Sequence, residues 1–298
     1  MKYRQLGNTG KNVSEIGFGC MSLGKNAEAE SVKLVHKAID AGINYFDTAD
    51  IYDAGANEEL VGRALQGKRQ KLIVATKVGN VIKPGGGKGF DWNPSKEHIL
   101  KSVEGSLQRL RTDYIDLYQL HGGTISDPID ETIEAFEILK QQGKILHYGI
   151  SSIRPNVIRE YVKRSRIVSV MMQYSLLDRR PEEEMLELLH QHNISVMARG
   201  ALAQGLLVNK PGKEYVQQSE DDVNEARELL TEISGSENNN TAAAIDFVLN
   251  HNAVTSAVIG FRTNEQLETA LNTDFSLDSA GLDKLRAIVM AKKYEEHR

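Results

Sequence analysis

Four side chains have the types and the placement to act together: Asp47, Tyr52, Lys77 and His121. Asp47 closes the run Tyr45-Phe46-Asp47-Thr48-Ala49, Tyr52 follows just beyond it, Lys77 closes Val74-Ala75-Thr76-Lys77, and His121 closes Leu117-Tyr118-Gln119-Leu120-His121. An ammonium beside a phenol favours the phenolate, and a carboxylate fixes that ammonium, so a tyrosine placed between them can act as a proton donor. An imidazole at the same place can hydrogen-bond a carbonyl oxygen, orienting and polarising it for attack at carbon. Such a set suits reduction of a carbonyl by hydride. Taken singly, each residue has a plainer reading: a structural ion pair, a rim tyrosine, a satisfied polar histidine. Four matching types at three successive apolar runs favour chemistry over those readings.

The runs must be held at one mouth, and the sequence contains a repeat that would do so. Short β-rich stretches centre on residues 16–19, 44–47, 72–76, 115–119, 146–150, 168–173, 195–198 and 256–259. Helical periodicity recurs between them, the pattern of a parallel sheet covered by helices. Eight parallel strands predict closure into an α/β fold, a (β/α)8 TIM barrel, whose active site lies at the carboxyl ends of its strands. Helices are expected over residues 28–41, 57–66, 95–111, 128–142, 181–192, 242–250, 263–271 and 279–292. Val32, Val35, Ala38 and Ile39 form the apolar stripe of the first, Gly42 its stop, and Ser95 the N-cap of the third. Residues 3–5 and 12–13 around Asn8 to Gly10 predict a short hairpin on the barrel floor. Residues 79–93, 200–221 and 279–292 exceed the minimal repeat. Pro84-Gly85-Gly86-Gly87 in the first of these reads as a flexible loop rather than a phosphate cradle, because no helix bearing Lys-Ser or Lys-Thr follows at the required spacing. The run Asn238-Asn239-Asn240 reads as a loop.

Composition sets the outer bounds. With 298 residues, 40% hydrophobic and 26% charged, the chain can bury a large core, and residues 1–298 are expected to form one barrel domain. A formal charge of −5 without blocks of like charge gives no footprint for nucleic acid. The single cysteine, Cys20, excludes an internal disulfide and a cysteine-based zinc site, and no metal is expected. No run of 18 apolar residues or apolar leader occurs, so no membrane association and a cytoplasmic location are expected.

The motifs Gly17-Phe18-Gly19-Cys20-Met21, Phe46-Asp47-Thr48-Ala49-Asp50-Ile51-Tyr52 and Asp113-Tyr114-Ile115-Asp116-Leu117-Tyr118-Gln119-Leu120-His121 resemble those of the aldo-keto reductases. The resemblance runs from Arg4 to at least Ala270, and is to the bacterial type with a short C-terminal loop. It implies a catalytic tetrad of Asp47, Tyr52, Lys77 and His121 and a nicotinamide dinucleotide bound without a Rossmann domain. The absence of a convincing Gly-x-Gly-x-x-Gly turn agrees with that. By the same resemblance Ser151 and Gln173 would hold the carboxamide, and Asp47 would neighbour the nicotinamide ribose. Gly19, Cys20, Met21, Ser152, Gly200, Leu202 and Gly260 would line the cofactor. Val258-Ile259-Gly260-Phe261-Arg262-Thr263-Asn264-Glu265-Gln266 is similar to the segment that grips the adenosine phosphate. Arg262 at a helix start offers a bidentate cation and backbone donors to a 2′-phosphate, which points to NADPH.

The chain departs from the family pattern in several places. Ser152 stands where many relatives have Asn, Thr269 and Ala270 where many have a Glu-Asn pair near adenine, and Arg199 where many have an aromatic ring against the nicotinamide. Adenine would then rely on Arg262 and Gln266, and the planar guanidinium of Arg199 can itself stack on a ring. The long C-terminal substrate loop of many animal relatives has no counterpart, which predicts an open pocket. The reading is NADPH-dependent reduction of a small aldehyde or ketone by a monomer or weak homo-oligomer. Two alternatives stand beside it: a cofactor-sensing protein resembling potassium-channel β-subunits, and a lyase using Lys77 as a Schiff-base nucleophile.

Overall fold

The computed structural model describes residues 1–25, 27–83, 89–271 and 275–298. The chain opens on an antiparallel hairpin, β1 (Tyr3–Gln5) and β2 (Asn12–Ser14), paired Tyr3 to Ser14 and Gln5 to Asn12. Strand and helix then alternate. Strand β3 (Ile16–Gly19) leads to α1 (Glu28–Asp40), and β4 (Tyr45–Asp47) to α2 (Ala56–Ala64). After β5 (Ile73–Val78), a second hairpin of β6 (Asn80–Ile82) and β7 (Phe90–Trp92) precedes α3 (Lys96–Leu110). The series continues with β8 (Ile115–Leu120), α4 (Ile129–Gln141), β9 (Ile145–Ser151), α5 (Pro155–Arg164), β10 (Ser169–Gln173), α6 (Met185–Gln191) and β11 (Ser195–Arg199). It ends with α7 (Glu220–Ser234), α8 (Asn240–Leu249), β12 (Val254–Gly260), α9 (Asn264–Leu271) and α10 (Ser279–Ile288). Among the described residues, β3, β4, β5, β8, β9, β10, β11 and β12 close into one parallel barrel, the expected (β/α)8 fold.

Two apolar clusters explain the closure. Tyr45, Ile73, Ala75, Leu117, Met171, Met197 and Val258 pack inside the barrel, and Leu6 and Val13 of the hairpin region join them. The hairpin therefore plugs the floor, as expected. Arg4 is bonded to the Val254 carbonyl (2.7 Å) and the Gly7 amide to Ser195 Oγ (2.7 Å), both at the amino ends of barrel strands. The larger cluster lies between barrel and helices, where Phe18, Phe46, Val74, Tyr118, Ile150 and Val196 meet residues such as Leu34, Val103 and Phe136. Both faces of each strand are thus covered, which is why the strands read as nearly continuous apolar runs.

Local signals set several helix ends. Ser95 Oγ accepts the His98 amide at the start of α3, and Pro155 occupies the first turn of α5, where its missing N–H costs nothing. At α7, Ser219 Oγ accepts the Asp222 amide while Asp222 Oδ2 accepts that of Ser219, a reciprocal cap. Gly62 lets α2 approach α3: a Cβ there would stand 2.5 Å from the Arg109 carbonyl oxygen.

The structure corrects several expectations. Residues 79–93 are not simply a loop, because the β6–β7 pairing runs from Asn80 opposite Trp92 to Ile82 opposite Phe90. Pro84-Gly85-Gly86-Gly87 lies outside the described residues. The helix expected over 181–192 is broken at Glu184 (φ −156°, ψ −40°), leaving a 3-10 turn at Arg180–Glu183 before α6. The last helix stops at Ile288 rather than 292, since Val289 is extended and its carbonyl accepts from Arg179. Asn240 begins α8 rather than ending a loop, and α5 and α7 stand where no helix is expected.

Candidate active site

Strands β4, β5 and β8 are neighbours in the barrel, with Asp47 paired to Ala75 and Lys77 to Gln119. Their carboxyl ends therefore bring Asp47, Lys77 and the residues after β8 together. Lys77 Nζ donates to Asp47 Oδ1 (2.5 Å) and to the Thr48 carbonyl (2.7 Å), and Gln119 Nε2 donates to Asp47 Oδ2 (3.2 Å). Both ions are buried, Lys77 at 1% and Asp47 at 5% exposure. Burial pushes the Lys77 ammonium toward losing its proton, but Asp47 and Tyr52 outweigh that and hold its pKa above the ordinary lysine value. Burial likewise raises the Asp47 carboxyl, against the pull of Lys77 and the Gln119 bond. A lysine held charged and bonded to Asp47 and the Thr48 carbonyl is poorly suited to nucleophilic attack, which argues against the Schiff-base alternative.

Tyr52 starts a 3-10 turn whose next residues, Asp53 and Ala54, are both left-handed (φ 48° and 54°). Its ring centroid lies 5.2 Å from Lys77 Nζ and 6.0 Å from the His121 ring, which meets it edge-on at 82°. The phenol therefore lies near both an ammonium able to stabilise its conjugate base and an imidazole. Burial, then the charges of Lys77 and Arg199, lower the His121 pKa to about 3, so the ring is neutral across the ordinary pH range and carries one N–H donor. Its Nδ1 is buried without a hydrogen-bond partner among the described residues. Asn80 of β6 braces the His121 carbonyl (2.9 Å), and Trp92 of β7 donates to Asp127 Oδ1 (3.0 Å). Trp92 lies against Gly79 and Gly122, at φ +121° and +137°, where a Cβ would stand 2.7 and 3.3 Å from the indole. The second hairpin is thus a wall beside His121.

Behind the tetrad lies a second acidic group. Glu58, wholly buried, accepts from Thr76 Oγ1 (2.6 Å) and Arg109 Nε (2.7 Å). Asp50 Oδ1 is buried without a partner among the described residues. Burial first, then the Glu58 charge, raise the Asp50 pKa to about 7.

The residues expected to hold a cofactor fall on the other side of the mouth. Gln173, Arg199, Gly260, Gly19 and Asp47 terminate β10, β11, β12, β3 and β4, strands adjacent in that order. Gly19 and Gly260 pair with each other, so the rim carries bare backbone there, and Met21 beyond it is 60% exposed. Arg199 Nη1 donates to Gln173 Oε1 (3.1 Å), while Gln173 Nε2 donates to Asp178 Oδ2 (2.8 Å). Ser151 is half-buried at the end of β9, and Gly200 and Leu202, following β11, are half-buried too. Arg262 and Gln266 are exposed at the start of α9, where Gln266 Oε1 accepts the Arg262 amide (2.8 Å). An elongated ligand lying on this rim would run from a cation at a helix start to the Asp47–Lys77 pair, which fits a dinucleotide. Two of the expected residues are buried. The Cys20 side chain is wholly buried, its Sγ 3.7 Å from the Phe18 carbonyl and its thiol pKa pushed far up by burial. Ser152 is buried, and its Oγ accepts the Arg154 amide (3.2 Å).

Sequence reasoning did not single out Gln119, Thr48, Asp178 or Trp92. Gln119 carried a usable signal, since it is a polar residue near the carboxyl end of the apolar run that precedes His121. Asp178 joins the site through a loop path and Trp92 through the short strand β7, neither of which a local pattern marks.

Residues 15–289 match the family model described as "Aldo/keto reductase family". The oxidoreductase YqkF of Bacillus subtilis, described as uncharacterized, is 51% identical over 276 residues, covering 90% of this chain and 89% of its own length. The structure of the aldo-keto reductase AKR11C1 from Bacillus halodurans in its holo form superposes with a TM-score of 0.93 at 48% identity, covering 100% of this chain and 99% of that one. That of the glycerol dehydrogenase AKR11B4 from Gluconobacter oxydans gives 0.85 at 27% identity, covering 99% and 98%.

Proposed function

This chain belongs to the aldo/keto reductase family, and on that premise we propose that it reduces aldehydes or ketones to alcohols with NADPH, using Tyr52 as the proton donor. The observation that carries the reading is the buried Asp47–Lys77 pair beneath the Tyr52 ring, with His121 set edge-on to it. A dinucleotide held on the rim would supply the hydride. His121, kept neutral by burial and nearby cations, donates an N–H to the carbonyl oxygen and fixes its orientation. Tyr52 gives its proton to that oxygen as charge develops, and the Lys77 ammonium, anchored by Asp47 and Thr48, stabilises the phenolate left behind. The nicotinamide end is assigned to Ser151, Gln173 and the flat guanidinium of Arg199, and the 2′-phosphate to Arg262 at the start of α9.

Oxidation of NADPH and of NADH by the purified protein, each with a reactive aldehyde, tests the reading. NADPH is expected to be preferred, and Arg262→Ala to reduce that preference by roughly 10-fold, the worth of a charge-assisted hydrogen bond. Equal use of both cofactors by the unaltered protein would reject the assignment of Arg262, and use of neither would reject the reductase.

A further inference from the structure

The residues after α10 return across the carboxyl-end rim and dock beside the candidate cofactor site. The Asn156 amide at the start of α5 donates to the His297 carbonyl (2.9 Å), and Arg298 Nη2 donates to Glu183 Oε1 (2.5 Å). Arg179 holds the start of this segment through the Arg286 and Val289 carbonyls. Tyr294, only 6% exposed, packs its ring beneath the Arg180 guanidinium, whose Cζ lies 4.9 Å from the centroid. A small cavity of about 20 Å³ lies among Pro155, Arg180, Tyr294 and Arg298, so this docked segment is a layer laid over the barrel.

From Tyr294 an unbroken series of contacts leads to the mouth. Arg180 forks onto Asp178 (Nε to Oδ1 2.7 Å, Nη2 to Oδ2 2.8 Å), and the Asp178 side chain is fully buried. Asp178 Oδ2 accepts from Gln173 Nε2 (2.8 Å), and Gln173 Oε1 accepts from Arg199 (3.1 Å). An ionised carboxylate can only accept, so it dictates that the nitrogen end of the Gln173 amide faces inward and the oxygen end faces Arg199. The Arg180 fork supplies the buried carboxylate with a bidentate cationic partner, and the Tyr294 ring lies against that fork.

We propose that Arg180 and Tyr294 are positioning residues for the nicotinamide end of the cofactor site, setting the orientation of Gln173 and Arg199 through Asp178. The inference rests on the reading of Gln173 and Arg199 as cofactor-holding residues. Tyr294 Oη is buried without a partner among the described residues, so the ring, not the hydroxyl, does the positioning.

The test compares calorimetric binding of NADPH with binding of 2′-phospho-ADP-ribose, which lacks the nicotinamide. Tyr294→Ala and Arg180→Gln are expected to weaken NADPH roughly 5- to 10-fold, the scale of a lost desolvated cation–ring contact, and to leave the fragment within about 2-fold. Tyr294→Phe, which keeps the ring, is expected to bind both ligands as the unaltered protein does. Unchanged NADPH affinity in Tyr294→Ala, or equal weakening of both ligands, would overturn the proposal while leaving the reductase reading intact. Failure of the unaltered protein to bind either ligand would instead remove the reading, and the proposal with it. Should Arg180→Gln not fold, the two Tyr294 variants decide alone.

Discussion

Tyr52 draws its chemical meaning from its neighbours: a buried ammonium 5.2 Å from its ring, fixed by Asp47, and a neutral histidine edge-on to it. Asp50, two residues earlier, is a different kind of group. Its carboxyl pKa, raised to about 7 by burial and then by Glu58, means that the folded protein holds a proton there that an unfolded chain releases near pH 4. Stability contributed by that proton is present at low pH and is lost as pH rises toward and past 7. Asp50→Asn is therefore expected to raise the unfolding free energy at pH 8 by about 1–4 kcal/mol and to change it little at pH 4. Denaturant unfolding at the two pH values measures this, and an equal effect at both would contradict the assignment.

The strands deliver these residues, and the helices hold the strands in place. Gly62 belongs to this scale, because α2 carries Glu58 and rests directly on the backbone of Arg109 and Leu110. Gly62→Ala is expected to cost roughly 1–3 kcal/mol, since neither backbone can give way, and thermal melting would show it. A melting temperature unchanged by the substitution would mean the helices can separate freely. Asp47, Lys77 and His121 were legible because each follows a largely apolar run, so they stood out by position. The three-residue strands β6 and β7 were not legible, as their pairing spans an interval rich in proline and glycine. Helix α5 was hidden by its many charges, although Pro155 marks its start, and α7 by its acidic opening. The contacts of Asp178 with Gln173 and Arg180 arise from the path of a loop, and the seating of Tyr294 depends on residues more than 100 positions away in the sequence.

At the scale of the whole molecule, one closed ring of strands puts the proposed proton donor and the proposed cofactor rim on the same mouth. Arg199 illustrates the connection, for its charge contributes to keeping His121 neutral across the barrel while its guanidinium borders Gln173. The C-terminal segment belongs to this scale too, since it joins the end of the chain to that rim. Proton donation and cofactor binding are proposed as separate duties of one site. Tyr52→Phe tests this most directly, by NADPH binding and aldehyde-dependent NADPH oxidation measured on the same preparation. NADPH affinity is expected to stay within about 3-fold while turnover falls roughly 100- to 10,000-fold, the usual contribution of a general acid. Full turnover in Tyr52→Phe would contradict the account.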